Sequence, residues 1–332
     1  MTTPDDEKVL TEVQGATGVI TLNRPQGLNS MDYDMIKAID AALRDWATDD
    51  AVEQVVIHSA IKHFCSGGDV KFARQTILDG QAELVDEFFA VEYAMNNFLA
   101  EFPKPHIALV KGVNMGGGMG VSALGSHFVV EDGAFASMPE MNIGYITDVG
   151  MSWKLQHLPG HESKNLGKFL GLTGYRLTPE DMMVLGLATH RVESVDALLD
   201  SVIEHGVAAL PEPEKVTDAP ITRWFDEIER TFDGSWAEIQ ACLDDADPEF
   251  AELVRELTAK ASPTALVAAA ELFEANANLD LSAALENERV LGELIRREPD
   301  FAEGVRAVLV DKDQAASFAP QPDPEKYRAV LT

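Results

Sequence analysis

The chain has 332 residues, and its 26 Lys and Arg against 56 Asp and Glu give a formal charge of -30. Such a balance repels polyanions and argues against a nucleic-acid partner. A hydrophobic content of 46% is that of a globular protein with a substantial core, and the length suits one large domain or two modest ones. Cys65 and Cys242 stand far apart without a CxxC spacing, so neither a disulfide framework nor a zinc site is expected, as suits a reducing compartment. The N-terminal MTTPDDEKVL lacks an apolar h-region and an Arg-rich amphipathic stretch. No apolar run approaches the roughly 18 residues of a membrane span. The expectation is a soluble cytoplasmic protein without a membrane partner.

In chain order, the β-branched runs GVITL (18–22) and EQVVIHS (53–59) read as strands flanking a helix from Met31 to Trp46. A longer helix follows, in which Leu84, Phe88, Val91, Met95 and Phe98 are spaced to share one face. Prolines stop it before PKPHIALV (103–110), a buried strand. GGGMGVSAL then reads as a tight turn opening a helix, and HFVVE and AFASM as two further strands. Beyond about residue 195 strand signals fade and acidic amphipathic helices succeed one another. Among them, SPTAL (262–266) carries a helix-start signal, and PEPEK (211–215) and DADPEF (245–250) mark turns. The predicted architecture is an α/β core over 1–195 followed by a helical region over 196–332 that packs on the core.

Two glycine stretches stand at strand ends, HFCSGGDV (63–70) and NMGGGMG (114–120). Glycines let a ligand approach the backbone closely, and exposed N–H groups converging from two such turns would form an oxyanion hole. Each alone also reads as a plain strand-to-helix turn. Neither gives GxGxxG, and no GK[ST] follows, so dinucleotide and phosphate-loop readings fail. A third stretch, MPEMNIGYITDVG (138–150), holds Glu140 and Asp148 among apolar neighbours. Pro139, Gly144 and Gly150 argue for a loop. A carboxylate in apolar surroundings has a raised pKa suited to acid–base or nucleophilic work. A solvent-facing cap or Asx-turn is the plainer alternative, with Asp148 capping a helix begun at TDVG. No GxSxG, HExxH or HxH is present. His106 and His127 flank predicted strands and read as structural, and EDMMVLGL reads as core.

LNRPQGLNSMDYDM, KHFCSGGDV, KPHIALVKGVNMGGGMG and SMPEMNIGYITDVG, in that order and at those separations, resemble the crotonase (enoyl-CoA hydratase/isomerase) superfamily. SPTAL and DFAEGVRAVLVDKD extend the resemblance towards its 3-hydroxyisobutyryl-CoA hydrolase branch, over nearly the whole chain. The resemblance implies a spiral of ββα units binding acyl-CoA thioesters, with backbone N–H groups at Gly68 and Gly117 holding the thioester oxygen. A typical hydratase of the superfamily carries one glutamate two residues after the glycine triplet and a second in the PE motif. Here those positions are Gly120 and Glu140, which makes ordinary hydration doubtful. In the hydrolase branch glycine is expected at the first, and PE is followed eight residues later by the Asp of DVG, as Glu140 and Asp148 are.

The implied reaction is hydrolysis of an acyl-CoA such as 3-hydroxyisobutyryl-CoA, in valine breakdown. Glu140 would attack as nucleophile or act as base on water, and Asp148 would orient the 3-hydroxyl or the attacking group. Ile146 and Thr147 replace the branch's usual Phe-Pro, and Met151 a usual glycine, which loosens the identity of the acyl group. Glu92, Tyr93 and Asn96 match a segment that lines or supports the pocket. By motif position Ser66 offers its carbonyl to adenine and Gly116 and Gly120 line the substrate site. Arg24, Lys62, Lys71 and Arg74 are bases placed to meet phosphates, or else ordinary surface charges. No separate cofactor is implied, coenzyme A being part of the substrate. A homo-oligomer is left open. The alternatives are a hydratase or isomerase using Glu140 alone, and a non-catalytic acyl-CoA-binding protein.

Overall fold

A computed structural model describes residues 7–320 and 322–332; the first six residues of the acidic N-terminal stretch lie outside these. The chain forms two compact units, each assembled from separated segments. The first comprises Met1–Asp69, Ala94–Ala136 and Arg176–Pro220, the second Val70–Tyr93, Ser137–Tyr175 and Ile221–Thr332.

The first unit is built on strands β1 (Val9–Gln14), β2 (Thr17–Leu22), β3 (Gln54–Ser59), β4 (His106–Val110), β6 (His127–Glu131) and β8 (His190–Val192), which form one sheet in that order. β1 pairs antiparallel with β2 and every later pairing is parallel. Runs such as HIALV, buried at every position, are what a parallel sheet covered on both faces requires. β5 (Val113–Met115) and β7 (Phe135–Ser137) form a second, two-stranded sheet. The helix Tyr33–Thr48 begins two residues later than predicted because Asp32 accepts the Met35 N–H at 3.0 Å and caps it. Its buried residues Met35, Ile36, Ile39, Leu43 and Trp46 follow the 3.6-residue period.

The compact units do not divide at 195/196. Val195 and Val202, on the helix Val195–His205, share a buried core with Val56, Ile107, Leu109 and Val129 of the sheet. That helix carries an apolar stripe which the strands of its own unit help to cover, so its burial ties it to the sheet. Among the described residues strand content does end near the predicted point, with β8 at Val192.

The second unit is helical. Its Pro263–Asn276 helix is buried nearly all round, over residues 264–273 and Asn276, as a helix at the centre of a layer must be. It packs against the helices Lys164–Thr173 and Leu281–Arg296. SPTAL marks its start as predicted: Ser262 is the cap and Pro263 opens the first turn. DADPEF behaves likewise, with Asp247 capping Pro248–Thr258.

The helix Ala82–Ala100 passes from one unit to the other between Tyr93 and Ala94. The apolar stripe read from its sequence needs correction. Phe88 and Met95 of that stripe are buried as expected, but Leu84 is half exposed, while Glu92 and Asn96 are buried together with Val85, Phe89, Tyr93 and Leu99. The buried face is rotated from the predicted one because it carries polar residues that a hydrophobicity pattern leaves out. Among the described residues no helix is long and apolar enough to cross a membrane.

Ser262 does two jobs: its Oγ accepts the Ala265 N–H at 3.1 Å and donates to the buried Asp300 carboxylate at 2.6 Å. Ser262→Ala removes a cap and strips a donor from a buried acid. It is expected to lower stability by about 1–3 kcal/mol in urea denaturation.

Candidate functional site

In the first unit the two glycine stretches lie side by side. Cys65 exchanges backbone hydrogen bonds with β5, its N–H reaching Val113 O and its carbonyl accepting from Met115 N, both at 3.0 Å. Three residues later the chain pairs with Met31 instead. The Met31 N–H donates to Gly67 O and the Asp69 N–H donates to Met31 O, each at 2.8 Å. In a parallel bridge of this kind the residue between, Gly68, turns its own N–H away from the partner strand. Gly67 lies against the other stretch: a Cβ on it would sit 3.7 Å from Met115 O and 3.9 Å from the Gly116 Cα.

Gly67, at φ +112°, and Gly116, at φ 49° and ψ -124°, hold backbone conformations that other residues rarely take. Gly116 caps the helix Gly117–Ser122, so the Gly117 N–H belongs to a first turn and has no intrahelical acceptor. Gly120 is buried within that helix. These turns thus present the N–H groups of Gly68 and Gly117 from neighbouring stretches of one unit.

The bases are placed variously. Arg24 braces the glycine loop: its Nη2 donates to Asp69 at 2.7 Å and its Nη1 to Ser30 O at 2.6 Å. A phosphate would therefore meet a guanidinium already neutralised. Ser66 is tied to the same segment, its Oγ donating to Gly27 O at 3.2 Å. Lys62 is exposed in the first unit. Lys71, also exposed, and Arg74, whose Nε donates to Ala302 O at 2.7 Å, belong to the second. The sequence also undervalued Asn29. Fully buried, it receives the Arg24 N–H at 2.7 Å and donates to Ser59 Oγ at 2.8 Å and Phe64 O at 2.9 Å, joining the first two motifs.

The second unit holds the acids. Glu140 opens a short 3-10 turn, Glu140–Ile143, entered from Pro139 and closed by Gly144 in the left-handed region. The turn is pinned by the Ser262 N–H, which donates to Met141 O at 2.9 Å. One oxygen of Glu140 and one of Glu92 are buried without a hydrogen-bond partner. Burial, reinforced by the charge of Asp148, pushes both carboxyls well above the ordinary carboxylate range. Burial also pushes Asp148 up, to about 6, but the Tyr93 hydroxyl bonded to it at 2.7 Å and the charge of Arg296 hold the rise in check. The three acids are thus coupled, and Asp148 is the first to ionise.

Asp148 does not cap a helix. The cap of the following helix, Met151–Lys154, is Gly150, and the Asp148 side chain turns to Tyr93 instead. The turn that achieves this is costly: Val149 stands at φ 53° and Gly150 at φ 80°, and a β-branched residue there costs on the order of 1–3 kcal/mol. Glu288, from the helix Leu281–Arg296, holds the turn. Its carboxylate accepts the Gly150 N–H at 2.8 Å, the Ser152 N–H at 3.2 Å and the Ser152 hydroxyl. Burial pushes Glu288 up to about 8, with the charge of Asp148 adding to the rise and the donors from Ser152 and Gly150 opposing it.

Glu288 and Arg296 were not foreseen. Both come from a helix more than a hundred residues beyond Asp148. The available signal was their place on that helix's buried face with Ala284, Leu285, Leu291 and Ile295, where an unpaired charge would be prohibitive.

The model of the family described as "Enoyl-CoA hydratase/isomerase" matches residues 17–328. The chain is 34% identical to a protein of Danio rerio named "3-hydroxyisobutyryl-CoA hydrolase, mitochondrial", over 96% of this chain and 87% of that one. It is 35% identical to the Homo sapiens protein of the same name, over 95% and 84%. A crystal structure described as an enoyl-CoA hydratase from Rhodobacter sphaeroides 2.4.1 superposes with a TM-score of 0.90 at 34% identity, over 98% of this chain and 97% of that one.

Asp148 and Glu288 keep protons in the folded chain at pH values where an unfolded chain has lost them. Stability therefore falls as pH rises from the ordinary carboxylate range through about 6 for Asp148 and about 8 for Glu288, and the raised Glu92 and Glu140 add to the decline. Urea denaturation across this window should show the decline, and Glu288→Gln should make it shallower.

Proposed function

This chain belongs to the enoyl-CoA hydratase/isomerase family, and from that premise we propose that it is an acyl-CoA thioester hydrolase acting on 3-hydroxyisobutyryl-CoA. Water and the thioester would give 3-hydroxyisobutyrate and free CoA, a step suited to valine breakdown. The reading rests on one observation: Glu140 and Asp148 are buried and coupled within one unit, while the other position at which a hydratase carries its second acid is Gly120. The name borne by relatives of 34% and 35% identity supports it.

Thioester hydrolysis needs a group that attacks or deprotonates, a means of holding the oxyanion, and a proton for the departing thiolate. A carboxyl pair that retains one proton offers both a charged and a protonated member. Glu140, once its proton has passed to the Asp148 carboxylate, serves either as nucleophile, through a mixed anhydride, or as base on a water, and the protonated Asp148 then supplies the proton for the departing thiolate. Label found in Glu140 after single turnover in H2¹⁸O establishes the anhydride route, because the base route never carries water oxygen into that side chain. Asp148 orients the 3-hydroxyl or the attacking group. The Gly68 and Gly117 N–H groups hold the thioester oxygen, each with a contribution of about 3–4 kcal/mol by analogy with other oxyanion donors. No cofactor beyond the CoA of the substrate enters this chemistry.

The name of the Rhodobacter sphaeroides structure favours a second reading, enoyl-CoA hydration by Glu140 alone. Assayed with both substrates, a hydrolase releases thiol from 3-hydroxyisobutyryl-CoA and leaves the enoyl absorbance of crotonyl-CoA unchanged. Rapid loss of that absorbance without thiol release would make the chain a hydratase. Glu140→Gln should reduce thiol release by at least about a thousandfold while CoA affinity stays within a few-fold of the parent's. Turnover at the parent rate would remove Glu140 from the site.

A further inference from the structure

Arg296 is a cation with almost no exposure, 1% for its side chain, on the helix Leu281–Arg296. Its Nη2 donates to Asp86 at 2.8 Å, and its guanidinium carbon lies 4.2 Å from the centroid of the Phe89 ring. The remaining arm, Nη1, donates to the Tyr145 hydroxyl at 2.6 Å. The Tyr145 hydroxyl lies 3.2 Å from that of Tyr93, which donates to Asp148 Oδ2 at 2.7 Å. A guanidinium has protons only to give, and a carboxylate has only lone pairs to receive them. The two fixed ends therefore orient the hydroxyls between them, so that Tyr145 donates to Tyr93 and Tyr93 to Asp148.

We propose that Arg296, acting through the hydroxyls of Tyr145 and Tyr93, is a positioning residue that fixes the negative charge of the buried acid cluster on Asp148 rather than on Glu140 or Glu92. The groups facing Asp148 are Glu92 and Tyr93 from the Ala82–Ala100 helix, Glu140 from its 3-10 turn, Tyr145 from the loop, and Glu288 and Arg296 from the Leu281–Arg296 helix. Among these, Arg296 is the one cation, and its connected donors end on Asp148. Glu140 and Glu92 each keep an oxygen without a donor. The helix is shaped for the contact: a Cβ on Gly292 would lie 2.6 Å from the Tyr145 hydroxyl and 2.9 Å from Arg296 Nη1.

The inference concerns the charge state of the reading above and rests on it for its catalytic meaning, but its test does not require turnover. In the full chain, ¹³C-carboxyl NMR follows the titration of Asp148 directly. Tyr93→Phe and Tyr145→Phe keep the ring and remove one hydroxyl each. Tyr93→Phe is expected to raise the Asp148 midpoint by about one pH unit or more, equivalent to a tenfold change. Tyr145→Phe should raise it less, and the double variant should match Tyr93→Phe alone, because the two act in series. Gly292→Ala, which wedges a methyl group between Tyr145 and Arg296, should shift the midpoint in the same direction. The acid limb of kcat/KM for thiol release should move with the titration. An unmoved midpoint, or shifts that simply add, overturns the proposal and leaves the hydrolase reading intact. Absence of thiol release from the parent defeats that reading and leaves the titration result standing.

Discussion

Burying several carboxyl groups together is the constraint on which the second unit depends. Glu92, Glu140, Asp148 and Glu288 are all buried, and in such surroundings each added negative charge opposes the next. Among Glu92, Glu140 and Asp148 the unit therefore has to decide which acid ionises first, and it does so with donors. Asp148 receives a hydroxyl backed by a guanidinium, whereas Glu140 and Glu92 each have an oxygen with no donor. Protonation states, rather than positions alone, are what this part of the fold specifies.

The helix Leu281–Arg296 carries much of that specification. Glu288, Gly292 and Arg296 follow at intervals of four and share its buried face. Glu288 braces the backbone beyond Asp148, Gly292 leaves room, and Arg296 reaches the Tyr145 hydroxyl. Strain at Val149 is affordable because Glu288 holds the next amides in place. The glycine stretches of the first unit follow a different principle, in which backbone pairing with Met31 and β5, rather than side-chain charge, directs the N–H groups.

Much of this was legible in the sequence where the signal is local. The strands, the capped helix starts and the glycine turns each announce themselves within a few residues. Glu140 and Asp148 were legible because their motif places both within a short span of apolar residues. What stayed hidden arises from partners far apart in the chain. The buried face of the Ala82–Ala100 helix carries Glu92 and Asn96, whereas apolar periodicity alone points to Leu84. The Val195–His205 helix joins the sheet through long-range burial that a change in composition at 195 does not reveal. In the sequence Arg296 is one of many charges on acidic helices, and its burial is what sets it apart.

A charge fixed on Asp148 also gives the site a direction. On the proposed chemistry the acyl group arrives as a neutral thioester and leaves as a carboxylate. An anion already in place does not oppose entry, but it repels the product once the bond is cut. Two unit charges at roughly 4 Å in surroundings of intermediate polarity repel by about 4 kcal/mol. The arrangement that decides which acid ionises thus also favours departure of the acid that the reaction makes, and it discourages that acid from returning.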